Sequence, residues 1–150
     1  MDDGSIQRWL DGFALAVRRR DFAVGRRLFD PAVVGFGTVA DHVCGLDSLE
    51  ENQWRQVWER TSDFAFDPGS ATVVLDGNLA CVAALWRSNG FDARGTSIVR
   101  HGRATIVLRR GDDDSWRAVH THFSLTPKSN VGQSDSRLAG ASVDRSGMKR

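Results

Sequence analysis

The sequence has no tyrosine, little cysteine and no long apolar run, and these absences limit what the protein can be. Its 150 residues include only two cysteines, Cys44 and Cys81. Two cysteines in separate segments cannot form the disulfide framework of a small secreted domain, so we expect two buried free thiols. No stretch approaches the roughly 18 consecutive apolar residues of a membrane span. The sequence opens with acids rather than with the basic, then apolar, pattern of a secretory signal. A soluble, cytoplasmic protein without a membrane partner is predicted.

The sequence also has almost no excess of positive over negative charge. Twenty lysines and arginines face nineteen aspartates and glutamates, which gives a formal net charge of +1. A nearly neutral chain lacks the broad basic surface that nucleic-acid binding requires, and we predict no nucleic-acid partner. Basic clusters occur locally, as at residues 18–20 and 109–110. With 41% hydrophobic residues, the chain can bury one core of ordinary size, which predicts one domain.

The first third of the chain has the apolar spacing of helices. Apolar residues between Ile6 and Val17 fall on one helical face, and three arginines follow where cations complement the helix dipole. Asp21 is predicted to cap a second, shorter helix. A third helix is predicted to begin near Asp47, which forms a capping-box-like start with Glu50.

From Ala71 onward the apolar period changes from helical to two-residue alternation. Turn residues divide this region into four predicted strands that form a meander. Helices followed by strands predict an α+β domain, with three N-terminal helices packed on a curved antiparallel sheet in a cone-shaped architecture. We assign this domain to residues 1–126. Residues 127–150 are polar and are predicted to be a disordered tail.

Several segments together resemble a known superfamily. In order, they include GFALAVRRRDF, GNLACVAALW and GRATIVLRRGDDDSWRAVHTHFS. They resemble the nuclear transport factor 2-like superfamily in its SnoaL-like branch, over about residues 6–126. The last segment also resembles the association domain of calcium/calmodulin-dependent protein kinase II. The resemblance implies a cone that dimerises through its sheet and holds a pocket between sheet and helices. Members include ketosteroid isomerases, polyketide cyclases and non-catalytic modules, so the fold leaves the function open.

The resemblance and the strand alternation together suggest which residues line that pocket. Similarity to the kinase association domain implies that Thr105 and Thr121 lie on the pocket side. Tryptophans on the third helix would supply flat walls, although ordinary core packing is the alternative. Alternation predicts that Arg103 also points inward, where it would bind an anion unless it is salt-bridged or extends to solvent. The predicted ligand-binding residues are Phe36, Trp54, Trp58, Trp86, Arg103, Thr105, Thr121 and Phe123.

Two histidines lie two positions apart on the last predicted strand. Strict alternation places Trp116, His120 and His122 on the face opposite Thr121 and Phe123. The resemblance implies that this face meets a second subunit, so these three residues are the predicted dimer interface. A zinc site would need a third protein ligand, and the spacing marks none. A serine hydrolase would need a nucleophile elbow, which is absent. We predict neither a metal nor a cofactor.

An enzymatic alternative depends on Asp41. This residue lies close to the place where ketosteroid isomerases carry their catalytic carboxylate, so the resemblance implies a base there, while a solvated turn residue is the plainer interpretation. The absence of tyrosine argues against ketosteroid isomerisation through a tyrosine oxyanion hole. The sequence therefore predicts a domain that binds a small, partly apolar molecule, with an anionic cyclic ligand as one option. The alternative is a cofactor-independent isomerase, cyclase or dehydratase that acts on a small ring compound.

Overall fold

Three helical segments cover one face of a curved, seven-stranded sheet. The computed structural model describes residues 4–127. The helical segments are α1 (Ser5–Arg19), α2 (Phe22–Arg27) and α3 (46–60). The strands are β1 (Phe29–Phe36), β2 (Val43–Cys44), β3 (Ser62–Phe66), β4 (Thr72–Asp76), β5 (Leu79–Phe91), β6 (Ser97–Arg110) and β7 (Trp116–Leu125). The predicted α+β class is confirmed. Apart from Pro127, the predicted tail lies outside the described residues.

Helix α1 is amphipathic, as the apolar spacing predicts. Its buried side is formed by Ile6, Trp9, Leu10, Phe13, Ala14, Ala16 and Val17. The arginines at its end tie the helix to its neighbours. Arg18 donates to the carbonyl of Phe64 at 2.9 Å, and Arg20 donates to the carbonyls of Trp58 and Thr61. None of the described helices is long and apolar enough to cross a membrane.

The two shorter helical segments begin differently. Asp21 caps α2, because its carboxylate accepts a hydrogen bond from the amide of Val24 at 3.0 Å. The predicted capping box of α3 is wrong: Gly45 occupies the cap position and no side chain caps the segment. The carboxylates of Asp47 and Glu50 bind Arg26 of α2 instead. Within α3, the turn Glu50–Trp54 is a π-helix.

The sheet has the strand order β2-β1-β7-β6-β5-β3, and β4 also pairs with β5. Strands β4 to β7 form the predicted antiparallel meander. Strand β1 pairs with β7 in parallel and extends the sheet to β2 at its edge. The sequence did not predict β3. Its pairing with β5 shifts register between Ser62 and Ala65, and Asp63 between them has a φ of 57°, so no simple alternation marks this strand.

The central hairpin of β5 and β6 turns its even-numbered residues toward the helices. Ala80, Val82, Ala84 and Trp86 of β5, with Ala104, Ile106 and Leu108 of β6, are buried in the core. The opposite side of the sheet is called the outer face here. Arg103 and Thr105 are exposed on the outer face, so their predicted inward placement is wrong. Cys81 is exposed on the same face, and Cys44 is exposed in β2, contrary to the expected burial.

A bulge in β7 changes which residues face the helices. Val107 of β6 pairs with His120, whereas the next residue of β6 pairs with Ala118, so Val119 is an extra residue in the ladder. Before the bulge Trp116 and Ala118 are buried, and after it Thr121 is buried. The predicted outer-face position of Trp116 is therefore wrong. Its indole Nε1 donates to Ser5 Oγ of α1 at 2.8 Å.

Candidate ligand-binding site

A cavity lies between α1, α3 and the inner face of the sheet. Eight of its lining residues are aromatic: Phe13, Phe29, Phe36, Trp54, Trp58, Phe64, Trp86 and Phe123. The cavity volume is about 60 Å³. Since one water needs roughly 10 to 15 Å³ on this scale, the space holds about four to six waters, comparable with one six-membered ring.

The aromatic walls are held by ring packing and by a close backbone approach. Trp54 and Trp58 of α3 stack with their ring centroids 4.6 Å apart. On the sheet side, the indole of Trp86 lies against Gly102, where a Cβ atom would overlap the ring. The indole Nε1 donates to the carbonyl of Arg103 at 3.1 Å. The wall is fixed because each ring has a packing or hydrogen-bond partner.

One end of the cavity is polar. Arg100 of β6 pairs directly across the hairpin with Ser88 of β5, and both residues line the cavity. The guanidinium Nη2 of Arg100 donates to Thr61 Oγ1 at 2.8 Å. Thr61 Oγ1 in turn donates to the carbonyl of Val57 at 2.7 Å. A cation and two hydroxyl groups therefore lie together beside an aromatic chamber.

The Arg100 guanidinium has no carboxylate partner among the described residues. Its Nε atom is buried and makes no hydrogen bond. Burial lowers the pKa of Arg100 from its ordinary value, because removal of water penalises the charged form. An arginine nevertheless stays protonated at neutral pH. Within residues 4–127 no aspartate, glutamate or histidine lines the cavity, which leaves Arg100 as the charged group there.

A loop at residues 37–42 borders the cavity and is held by Gln53 of the π-turn. The Gln53 carbonyl oxygen accepts hydrogen bonds from the amides of Val39 and Ala40, at 2.9 and 2.7 Å. Its amide group donates to Thr38 Oγ1 at 2.9 Å. Gln53 is buried and also lines the cavity. One side chain thus joins the loop to the helix that carries the stacked tryptophans.

The predicted site residues divide into two groups. Those that line the cavity are Phe36, Trp54, Trp58, Trp86, Thr121 and Phe123. Arg103 and Thr105 point away from it. Asp41 is exposed in the loop and does not line the cavity, so its expected place beside a substrate is wrong.

Sequence reasoning missed Arg100, and the signal for it was the parity of β6. Ala104, Ile106 and Leu108 form the continuous apolar set of that strand, which marks even positions as inward. Arg100 shares this parity, whereas Arg103 does not.

The histidines of β7 lie on the outer face, away from the cavity. His120 Nδ1 donates to the carbonyl of Val34 at 2.8 Å, since a carbonyl can only accept. The ring of Phe36 lies 5.1 Å from His120, 5.3 Å from His122 and 5.6 Å from His42, between centroids. In the described part of the chain, no three histidine, cysteine or acidic side chains are grouped so that they could hold a metal ion. The dimer role of these histidines stays a prediction.

Comparison with known proteins agrees with this architecture. Residues 6–128 match the family model of the SnoaL-like domain. No curated protein matches the sequence.

Solved structures share the fold at low sequence identity. A nuclear transport factor 2-like superfamily protein from Salmonella enterica serovar Typhimurium is 22% identical, with a TM-score of 0.71 over 85% of this chain and 92% of that one. A ketosteroid isomerase-like protein from Erwinia carotovora atroseptica is 19% identical, with a TM-score of 0.73 over 85% and 100%. A protein from Xanthomonas campestris, assigned as a calcium/calmodulin-dependent protein kinase II association domain, is 18% identical, with a TM-score of 0.72 over 86% and 91%. The chain shares its fold with these proteins, and by the family model that matches residues 6–128 it belongs to the SnoaL-like domain family.

Proposed function

We propose that the chain is a small-molecule-binding domain whose cavity takes a small, partly apolar ring compound. The observation that carries this proposal is the aromatic lining. Eight aromatic residues line a space of about 60 Å³, which Gly37 and Thr38 of the loop at residues 37–42 also border. Apolar walls with a few convergent polar groups are typical of ligand sites. The predicted cytoplasmic location is part of the same proposal.

Binding is favoured over catalysis by a carboxylate base. A general base must lie within hydrogen-bond reach of the proton that it removes. Asp41 is exposed and outside the cavity lining, and the described lining contains neither an acid nor a histidine. An isomerase, cyclase or dehydratase of the predicted kind would need such a group. The cavity therefore supports recognition of a ligand and gives no support to Asp41 as a base.

The proposal includes homodimer formation through the outer face. Val74, Cys81, Ala83 and Leu85 form an exposed row of small and apolar side chains on β4 and β5, here called the outer patch. Val74 is 66% exposed and Leu85 is 48% exposed. Aligned apolar side chains on one sheet face are typical of a surface that another protein covers. A second copy of the chain is the partner that the family resemblance implies.

Benzamide, a neutral single-ring compound, tests the binding proposal. We expect benzamide to quench the fluorescence of the cavity tryptophans and to raise the melting temperature. At 100 times the dissociation constant, binding adds about 2.7 kcal/mol to the free energy of unfolding, which raises Tm by a few degrees.

The control is Thr121→Trp, which should fill the cavity from β7 and abolish both signals. The binding proposal would be overturned if single-ring compounds, neutral and charged alike, all left fluorescence and Tm unchanged in the wild type.

A further inference from the structure

The polar end of the cavity carries a charge that nothing in the described chain neutralises. Arg100 enters the cavity from β6, and none of the described acidic side chains forms an ion pair with it. Other partly buried arginines are paired, such as Arg26 with Glu50 at 2.9 Å. A partly buried cation without an acid is costly, because its lost hydration is not replaced.

The guanidinium of Arg100 is held in place by one hydrogen bond, while its Nε–H group has no acceptor among the described residues. Thr61 Oγ1 accepts one hydrogen bond from Nη2, which fixes that corner of the group. The plane of the guanidinium lies against Gly90, where a Cβ atom would come within 2.6 Å of Arg100 Cζ and Nε. The buried Nε–H has no acceptor. A fixed donor with a free N–H beside a cavity is a preorganised anion site.

The surrounding groups match a carboxylate better than a larger or more highly charged anion. Arg100 supplies one positive charge, and Ser88 lies directly opposite it on β5. The rest of the lining is mainly aromatic, with Trp86 on the same inward row of β5 as Ser88. A volume of about 60 Å³ leaves room for a single ring with a small substituent. A phosphate monoester would bring more charge than one guanidinium balances. A sulfate ester is singly charged like a carboxylate, but beside a ring it would bring more bulk than a cavity of about 60 Å³ accepts.

From these contacts we infer that the cavity selects ring compounds bearing one carboxylate, and that Arg100 with Ser88 forms the carboxylate subsite. The ring lies among the tryptophans and phenylalanines, and the carboxylate accepts hydrogen bonds from the free edge of Arg100. This inference rests on the proposed function and names the chemical class of its ligand. Arg100 acts by binding and carries no bond-breaking step.

Benzoate and benzamide form the matched pair of probes. Both have the same ring and nearly the same shape, and only benzoate carries the charge. We expect benzoate to bind the wild-type protein at least tenfold more tightly, because charge-assisted hydrogen bonds form in a site sheltered from water. The dissociation constants are measured by tryptophan fluorescence at constant ionic strength, with chloride fixed so that general screening is equal.

Two arginine substitutions test whether the preference for benzoate comes from Arg100 in the cavity or from the positive charge of the protein in general. Arg100→Met keeps an apolar stem and removes the cation, so the preference for benzoate should disappear while benzamide still binds. Without ligand, this variant should melt no lower than the wild type, since an unpaired buried charge is lost. Arg103→Met, three residues along the same strand but on the outer face, is the matched control and should keep the full preference.

Gly90→Ala supplies a second variant that retains the charge. Its added Cβ should displace the guanidinium and weaken benzoate more than benzamide. Equal binding of both probes to the wild-type protein, or an unchanged preference in Arg100→Met, would overturn the carboxylate inference and leave the binding proposal intact. Failure of both probes to bind would overturn the binding proposal and the inference together.

Discussion

Glu50 shows how a single side chain connects two elements. Its carboxylate accepts hydrogen bonds from Arg26 of α2 at 2.9 Å and from Arg55 within α3 at 2.9 Å. Burial by itself raises the pKa of the Glu50 carboxyl, but these hydrogen bonds outweigh it and hold the pKa below the ordinary value of 4.5. The side chain is only 13% exposed, so water screens the bridge less than it would at the surface.

Glu50→Gln should lower stability in a pH-dependent manner. At pH 7 we expect a loss on the order of 1 to 2 kcal/mol in the free energy of unfolding. A carboxyl whose pKa is lowered by folding stabilises above its unfolded pKa and loses that contribution as it becomes protonated. The difference between wild type and variant should therefore shrink between about pH 5 and pH 3 in urea titrations. Glu51→Gln, an exposed neighbour, is the control, and a difference that stays constant with pH would contradict the assignment.

At the same scale, the choice between Arg100 and Arg103 shows what the sequence could and could not predict. The apolar series on β6 was enough to identify the inward parity. The expectation for Arg103 followed instead from the family resemblance, which implied Thr105 on the pocket side. Even the correct parity would not have shown that Arg100 lacks an acid. Whether an acidic side chain lies near Arg100 depends on which residues the fold brings together, and this cannot be read from the spacing of residues in the sequence.

Among the elements, α3 and the loop at residues 37–42 form a unit through Gln53. A π-turn widens the helix by one residue per turn and often marks a functional position. Here it contains Gln53, whose side chain satisfies two loop amides and one hydroxyl. The loop has few other anchors, among them the hydrogen bond from the Gly37 amide to the Ala40 carbonyl. The position of the loop that borders the cavity therefore depends on the side-chain amide of Gln53.

Gln53→Leu should release this loop without removing the helix. Two backbone amides lose their acceptor, so we expect a loss of about 1 to 3 kcal/mol in stability. Hydrogen exchange at Val39 and Ala40 should accelerate more than exchange in α1. Gln56→Leu, on the exposed side of α3, is the control and should change neither quantity. Unaltered exchange at both amides would show that other contacts hold the loop.

The predictability of the elements followed the regularity of their patterns. Helix α1 was predicted because its apolar residues keep one helical period from Ile6 to Val17. The hairpin of β5 and β6 has unbroken two-residue alternation and was also predicted. Strand β3 was missed because a register shift beside Asp63 interrupts its pairing. The position of Trp116 was wrong because alternation assumes one residue per step, and the bulge at Val119 adds one.

For the whole molecule, the outer patch bears on the state of assembly. Leu85→Lys would place an ammonium group in the proposed dimer contact, beside Arg103 on the neighbouring strand, where burial of a cation without an anionic partner is unfavourable. We expect the mass measured by light scattering to shift from dimer toward monomer, with a circular dichroism spectrum like that of the wild type.

Leu15→Lys makes the same change at an exposed leucine of α1, on the helix side, and should leave the mass unaltered. A wild-type protein that is monomeric at all concentrations, or a dimer that Leu85→Lys does not weaken, would contradict the proposed contact.

The extra residue at Val119 makes the position of the bulge, rather than the identity of the residues, the variable that decides which side chains of β7 face the cavity. Beyond the bulge, Thr121 and Phe123 line the cavity while His120 and His122 stay outside it. If the extra residue were located after Phe123 instead, the same segment would present two imidazoles to the ligand and turn its phenyl ring outward. The position of this one extra residue therefore decides whether β7 gives the cavity an apolar wall or a wall that carries imidazole groups.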